Sequence, residues 1–234
     1  SSLMGKLYLY AVFHGNLNFS YIPKDFYPQI LRKCYWPLLR IIEEKQIPLG
    51  LEFSAHTLQV VNSLDHTFVE RLGRLWEEGR CEFVGSGYVQ SIMPLLPARV
   101  NRENLRRGNA VYHRLLGRRP TLAYVNELVY SAGLPRLYRE AGYQGIMANW
   151  ESGLASQEDS ELLYRPCAVS AGEGAQMPVV WHSTVAYREF QRYIEGRAPL
   201  IPTWTDYSSI CRQPANVHSP FTRLTGRSST SNHG

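Results

Sequence analysis

Short apolar runs alternate along the chain with longer segments in which apolar residues recur every three or four positions. The short runs are rich in β-branched and aromatic residues and predict strands, whereas the longer segments predict amphipathic helices. The predicted strands cover residues 6–13, 49–53, 81–85, 121–126, 145–150 and 177–183. The predicted helices cover residues 26–46, 66–79, 101–117, 134–142 and 187–196. The pattern therefore predicts repeated β/α units.

Three residues mark the boundaries and breaks of the predicted helices. Asp65 stands just before the second helix and predicts its N-cap, and Gly79 predicts its C-cap. Pro37 lies inside the first predicted helix. Because proline lacks an N–H and its ring is bulky, we expect a kink or a division of the helix there.

The order of the elements predicts a parallel sheet. No turn typical of a β-hairpin separates the predicted strands, so we expect each strand to be joined to a parallel neighbour by a crossover helix. The sixth strand follows a longer polar insertion, residues 151–174. The first strand is followed by HGNLNFS, which is not the G-x-G-x-x-G motif of dinucleotide-binding folds. The sequence therefore favours a parallel α/β barrel.

Composition excludes several classes of protein. A chain of 234 residues with 44% hydrophobic and 19% charged residues is typical of one large domain with a sizeable core. The net charge of +5 is scattered, so we expect no nucleic-acid partner, and no apolar run is long enough to predict a membrane span. The N-terminus is unlike a signal peptide, and the four cysteines lie far apart. We expect free thiols and a cytoplasmic protein.

The character of the sequence changes after residue 197. Residues 198–234 contain four prolines, many Ser and Thr residues and no amphipathic period. We expect a barrel domain over residues 4–197 and an irregular or disordered tail over residues 198–234.

Polar and aromatic side chains follow the predicted strands. In parallel α/β barrels the functional groups lie at the carboxyl ends of the strands. Carboxylates and amides bind sugar hydroxyls, and Tyr and Trp rings stack on sugar C–H faces. The candidate residues for a sugar-binding cleft are His14, Asn16, Asn18, Glu52, Ser54, His56, Ser86, Tyr88, Gln90, Asn126, Glu127, Trp150, Trp181 and His182.

Each candidate also has a purely structural explanation. His14 is able to cap its loop, and Glu52 is able to form a surface ion pair. Core packing would explain Trp150 and Trp181, and Tyr88 and Gln90 fit ordinary loop positions. The coincidence of all these residues at one rim favours a functional site, with Glu127 the strongest catalytic candidate by position.

Three stretches resemble a known family. The strings FHGNLNFSYIP (13–23), CEFVGSGYVQSIMPLLP (81–97) and AYVNELVYSAGLPRLYREAGY (123–143) are similar to family 57 of the glycoside hydrolases. The resemblance covers roughly residues 5–197. It implies an incomplete parallel (β/α)7-type barrel and a retaining enzyme that acts on α-glucans, in a family that groups α-amylase-like, 4-α-glucanotransferase, branching-enzyme and α-galactosidase activities.

The resemblance assigns roles to individual residues. Glu127 takes the place of the nucleophile, and His14 matches the family's first histidine, although Asn16 stands where a second histidine is usual. A Glu-containing block matches Glu82, Gly85, Tyr88 and Pro94. The family's acid/base is a later Asp, and Asp206 is the only acidic residue that follows in this sequence.

The expected substrate is an oligosaccharide or polysaccharide, and no cofactor or metal is implied. We expect the substrate-binding residues to be His14, Asn16, Glu52, Tyr88, Gln90, Trp150 and Trp181. Water as the acceptor gives hydrolysis and a sugar hydroxyl gives transglycosylation, and the sequence leaves both open.

Two other functions remain open from the sequence. One is a non-catalytic carbohydrate-binding protein, because the acid/base motif is missing. The other is a metal-dependent polysaccharide deacetylase, which would require clustered Asp and His ligands. The first predicted strand offers His14 and no Asp.

Overall fold

Most of the strands run parallel to their neighbours, in the order of the sequence. The computed structural model describes residues 10–149, 167–182 and 184–197. The seven strands in these ranges are β1 (Val12–Gly15), β2 (Gly50–Phe53), β3 (Glu82–Val84), β4 (Leu122–Tyr124), β5 (Gly145–Asn149), β6 (Cys167–Ser170) and β7 (Gln176–His182). Strands β1, β2 and β3 pair in parallel, and so do β4, β5 and β7. This order confirms an incomplete parallel (β/α) barrel.

The two groups of strands meet immediately after β3. Gly85 forms a parallel bridge with Ala123 of β4. The Gly85 N–H donates to the Leu122 carbonyl at 2.9 Å, and the Tyr124 N–H donates to the Gly85 carbonyl at 2.7 Å. The parallel order therefore continues from β1 to β5 and then to β7.

The prediction that the chain contains no hairpin is wrong for β6 and β7. Strand β6 pairs with β7 in the antiparallel sense, from Cys167 opposite Val179 to Ser170 opposite Gln176. The turn between them contains Gly172 and Gly174 with φ angles of 78° and 73°. A short connection that contains glycine between two apolar runs is typical of a β-hairpin. The second half of the polar insertion has this pattern, so the hairpin was predictable from the sequence.

The helices cover the outside of the sheet. The seven α-helices of the described ranges are α1 (Tyr27–Ile30), α2 (Trp36–Lys45), α3 (Ala55–Leu64), α4 (His66–Glu77), α5 (Ala98–Leu116), α6 (Leu134–Glu140) and α7 (Thr184–Ile194). Helix α3 is not in the sequence prediction. It follows β2 directly, and its N-cap Ser54 accepts a hydrogen bond from the Thr57 N–H. Two helices therefore connect β2 to β3.

The predicted interruption at Pro37 takes the form of a π-helical segment. Residues Leu31–Tyr35 form this segment between α1 and α2, and the Trp36 N–H bonds to the Leu31 carbonyl. Proline cannot donate to the carbonyl one turn earlier, and the wider turn is placed just before it. The chain therefore stays helical instead of dividing. In α4, the predicted N-cap Asp65 is confirmed, and Gly79 lies one residue beyond the C-cap Glu78 at φ 70°.

Alternate residues of the strands face opposite sides of the sheet. Leu51 and Phe53 of β2 pack into a large core under α1 to α5. Ile146 and Ala148 of β5 pack into a second core with α6. The intervening positions face the inside of the barrel, where a small cluster contains Val84, Leu122 and Met147, with Val12, Tyr124 and Val180 packed against it. This alternation decides which strand-end residues can meet.

Among the described residues, we find no helix that is long and apolar enough to cross a membrane.

Candidate active site

His14 and Glu52 form the base of the site on adjacent strands. They are direct partners in the parallel register of β1 and β2, so their side chains project from the same face. His14 Nδ1 hydrogen-bonds Glu52 Oε2. The Glu52 side chain is fully buried, whereas that of His14 is 29% exposed. The His14 ring also stacks on Tyr124 of β4, with centroids 5.6 Å apart and an interplanar angle of 14°.

The pair has a defined electrostatic character. Burial alone lowers the pKa of His14, but the hydrogen bond and the charge of Glu52, with a contribution from Glu127, outweigh burial and raise it above its ordinary value. A fully buried carboxylate is costly unless a cation accompanies it. The raised pKa favours the protonated ring of His14, which is the natural partner of a buried carboxylate.

Three side chains from three strand ends form a hydrogen-bonded chain. The Asn16 Nδ2 donates to Gln90 Oε1 at 2.8 Å. The Gln90 Nε2 donates to Glu127 Oε1. The Phe19 N–H donates to Asn16 Oδ1 at 3.0 Å. The loop after β1 is thus connected to Glu127, which follows β4.

The backbone at Glu127 is unusual. The residue lies in a 3₁₀ turn, Asn126–Leu128, with φ 55° and ψ 11°, and Leu128 also has φ 55°. Positive φ angles at two consecutive non-glycine residues carry a strain of about 1–3 kcal/mol each, and such strain is concentrated at functional sites. The turn buries Asn126 and exposes Glu127, so the carboxylate is available at the rim.

A second group of side chains lies beside the first. The Asn18 Nδ2 donates to His56 Nδ1, and His56 lies in the first turn of α3. The His56 ring makes edge contacts with Phe19 and with Tyr88, at centroid distances of 6.2 Å and 5.6 Å. These aromatic rings provide one wall of the rim.

Helix α5 holds the loop that carries Tyr88 and Gln90. The Asn104 Oδ1 accepts from the Val89 N–H at 2.8 Å, and its Nδ2 donates to the Val89 carbonyl at 3.1 Å. The Asn104 carbonyl also accepts from the Tyr88 N–H. Gly108 lies one turn further along, where an added Cβ would be 2.7 Å from Gly87. The loop is therefore fixed on both sides of Val89.

Tyr124 is a site residue that the sequence analysis missed. It is half-buried, stacks on His14, and has a pKa raised first by burial and then by the charges of Glu52 and Glu127. The sequence could have indicated Tyr124 by its position two residues before Asn126, because alternate residues of a strand face the same side of the sheet.

The structure brings together most of the predicted binding residues. His14 and Glu52 form one pair, and Asn16, Gln90 and Glu127 form one hydrogen-bonded chain. The charge of Glu127 acts on His14, and Tyr88 contacts His56 in the neighbouring group. The Trp181 side chain faces the other side of the sheet and is buried in the second core. There its ring contacts Tyr130, and its Nε1 donates to Cys167 Sγ at 3.0 Å.

The remaining predicted residues are placed elsewhere. Trp150 and Asp206 lie outside the described residues, as does the predicted tail, residues 198–234. Glu82 begins β3, at the opposite end of the sheet from the rim. Within the described ranges, no three His, Cys, Asp or Glu side chains are close enough to share a metal ion.

The chain is similar to several known proteins in sequence and in structure. Alpha-amylase 1 of Dictyoglomus thermophilum is 23% identical over 116 residues, which cover 49% of this chain and 17% of that protein. The crystal structure of 4-alpha-glucanotransferase from Thermococcus litoralis matches with a TM-score of 0.72 and 18% identity, over 90% of this chain and 32% of that one. An alpha-amylase from Thermotoga maritima matches with a TM-score of 0.61 and 14% identity, over 76% of this chain and 46% of that one.

These relatives differ from the present chain in length. The chain spans less than half of each of the three, and the two crystal structures show the fold that it shares with them. The sequence profile of glycosyl hydrolase family 57 matches residues 8–184, which is most of the chain. The chain belongs to glycosyl hydrolase family 57.

Proposed function

We propose that the protein is a retaining enzyme that cleaves or transfers α-glucan chains, with Glu127 as its nucleophile. The observation that carries this proposal is the position of Glu127. Its carboxylate is exposed at the carboxyl end of the parallel strands, on a strained turn, and one oxygen is held by Gln90. Carboxyl ends of strands are where barrel enzymes place their reacting groups.

The surrounding side chains support a role in sugar chemistry. Glu127 would attack the anomeric carbon as the glycosidic bond breaks, and the transition state would carry positive charge on the sugar ring. The remaining oxygen of Glu127 is the attacking atom, since Oε1 is held by Gln90. Asn16, together with His14 where it emerges beside Tyr124, would bind hydroxyls of the sugar at the cleavage point.

A retaining mechanism requires a second carboxyl group. It protonates the leaving oxygen and later activates the acceptor, at about 5 Å from the nucleophile. In this proposal the group comes from beyond the described ranges, and Asp206 is the candidate in the given sequence. The same covalent intermediate gives hydrolysis with water and transfer with a sugar hydroxyl.

Replacement of Glu127 tests the proposal directly. In the full-length protein, Glu127→Gln should lower turnover of maltooligosaccharides by on the order of 10³-fold or more, because the covalent nucleophile is lost. Glu173→Gln, at an exposed position of the β6–β7 turn, is the matched control and should retain activity. Retention of activity within tenfold in Glu127→Gln would contradict the assignment.

Trapping the intermediate identifies the attacking residue. A fluorinated, activated α-glucosyl donor should leave a sugar on Glu127, detected by intact mass and peptide mapping. Binding of maltooligosaccharides with neither adduct nor turnover in the full-length protein would favour the non-catalytic carbohydrate-binding alternative.

A further inference from the structure

The hydrogen-bonded chain that ends on Glu127 has a fixed direction. Each of its two amide side chains has one donating and one accepting end, so each amide is able to face its neighbours in two ways. The direction is decided where the chain meets a group that can act in only one way. That group is the backbone N–H of Phe19, which is a donor only.

The orientation follows step by step from this backbone donor. The Phe19 N–H requires the oxygen of Asn16, which leaves Asn16 Nδ2 to face Gln90. A donating Nδ2 requires the oxygen of Gln90, which leaves Gln90 Nε2 to face Glu127. The group that meets Glu127 Oε1 is therefore an N–H donor.

The position of Gln90 along this chain is also fixed. Asn104 of α5 bonds both the N–H and the carbonyl of Val89, the residue before Gln90. Gln90 is half-buried and its bond with Asn16 is partly buried, whereas its bond with Glu127 faces solvent. The loop backbone thus fixes the position of the Gln90 amide, and Asn16 fixes which end of that amide faces Glu127.

We infer that Asn16 and Gln90 are positioning residues that act in series to hold the Glu127 carboxylate in one orientation. The hydrogen bond from Gln90 Nε2 fixes one carboxylate oxygen and leaves the other for attack. This inference rests on the proposed role of Glu127 and gives Gln90 a different role from the sugar binding expected from the sequence.

A substitution at Asn16 tests the direction of the hydrogen bonds separately from the contacts between the side chains. Asn16→Asp keeps the size of the side chain and the bond from the Phe19 N–H, but it presents an oxygen to Gln90. The Gln90 amide then turns its Nε2 to the introduced carboxylate and its oxygen to Glu127, and two acceptors meet. The effect reaches Glu127 although the changed residue does not contact it.

The added negative charge needs its own control. Asn18→Asp adds the same charge to the same loop, two residues away, where the side chain bonds His56 and not Gln90. The other titratable groups whose electrostatic interaction with Glu127 the structure describes are His14 and Tyr124, and both are unchanged in the two variants. The difference between the variants therefore isolates the direction of the amide chain.

The measurement is the side-chain amide signal of Gln90 in ¹⁵N–¹H NMR spectra, assigned as the one that disappears in Gln90→Glu. Because Gln90 Nε2 donates to Glu127, the change Glu127→Gln should displace this signal in the wild-type protein and in Asn18→Asp. We expect less than half of that displacement in Asn16→Asp, where Nε2 faces the introduced carboxylate. Equal displacements in the two variants would overturn the inference.

Formation of the sugar adduct distinguishes this result from the proposed function. If Glu127 is the nucleophile, Asn16→Asp should form the adduct more slowly than Asn18→Asp. A smaller displacement of the Gln90 signal in Asn16→Asp, without a sugar adduct on Glu127 in the wild-type protein, would refute the nucleophile role and still support the amide chain. An adduct on Glu127 with equal displacements in both variants would do the reverse.

Discussion

At the scale of single residues, the pair of His14 and Glu52 makes stability depend on pH. The pKa of His14 is raised in the folded protein, so folding stabilises the protonated ring. This contribution is complete below the ordinary pKa of about 6.5 and is lost as the pH rises through the folded value. We expect the free energy of unfolding to fall over this window.

Replacement of Glu52 should reverse that slope. In Glu52→Gln the partner charge is gone, and burial, which lowers the pKa of His14, becomes dominant. The contribution of His14 to stability should then increase with pH. Urea unfolding of wild type and variant between about pH 5 and pH 8.5 provides the comparison, because the slope of the variant lies below about pH 6.5, and Glu173→Gln is the control. Parallel slopes in wild type and Glu52→Gln would show that the ion pair does not control the histidine.

At the scale of the secondary-structure elements, Asp65 connects two helices. Its Oδ1 accepts from the Thr67 and Phe68 N–H groups at the start of α4, and its Oδ2 accepts from Trp36 Nε1 at the start of α2. The Thr67 hydroxyl, which also donates to Asp65, is the largest cause of the lowered pKa of this carboxyl. One carboxylate therefore both caps α4 and fixes its contact with α2.

Loss of this carboxylate should cost more than loss of an ordinary cap. We expect Asp65→Ala to reduce the free energy of unfolding by about 2 kcal/mol, since the N-cap and the indole hydrogen bond disappear together. Glu70→Ala, at an exposed position of the same helix, is the control and should be nearly neutral. Because the pKa of Asp65 is lowered, the difference from wild type should shrink as the pH falls through the titration of that carboxyl. A constant difference down to low pH would contradict the capping role.

The elements also show what the sequence could predict. Five of the six predicted strands overlap observed ones closely, because each is a short apolar run that contains an aromatic or β-branched residue. The first predicted strand lies partly outside the described residues, and β1 extends two residues beyond its predicted end. Helix α3 was missed because HTLQVVNSL follows a strand without a loop, and its cap Ser54 was interpreted as a strand-end polar residue. The hairpin of β6 was missed because its glycine turn lay inside a segment treated as one insertion.

The candidate site was predictable only in part. Strand ends identified His14, Glu52 and Glu127, since parallel strands place their carboxyl ends on one rim. They did not reveal that Trp181 faces the second core, which depends on counting alternate residues from a correct strand register. The contacts of Gln90 with Asn16 and Glu127 join residues 74 and 37 positions apart, and no local pattern encodes them.

At the scale of the whole molecule, the two hydrophobic cores are joined by the contact between β3 and β4 and by helix α5. Strands β3 and β4 meet through Gly85 and Ala123, and α5 contributes Tyr112 to the first core and Leu105 to the second. Asn109 of the same helix donates to the Ala141 carbonyl at 2.9 Å. Tyr143 beside the bridge donates its hydroxyl proton to Asn109 Oδ1 at 2.8 Å.

Gly85 is the point at which this connection is most sensitive. A Cβ there would lie 2.5 Å from the Tyr143 hydroxyl and 2.6 Å from Pro120 Cγ, so one side chain must move and the Tyr143–Asn109 hydrogen bond is disturbed. We expect Gly85→Ala to reduce the free energy of unfolding by about 1–3 kcal/mol, as overpacking does elsewhere. Gly133→Ala is the matched control, because nothing lies within 4 Å of its added Cβ and its φ is −82°.

The distribution of the loss tests whether the halves fold as one unit. Because α5 and the Gly85 bridge are shared, amide hydrogen exchange should report an equal loss of protection at Leu51 in β2 and at Ile146 in β5 of Gly85→Ala. A loss confined to Ile146 would mean that the first core is stable on its own and that the strand carrying Glu127 is held less firmly than the strand carrying His14. Equal losses would mean that the two sides of the candidate active site, one from each half, are maintained by a single cooperative structure.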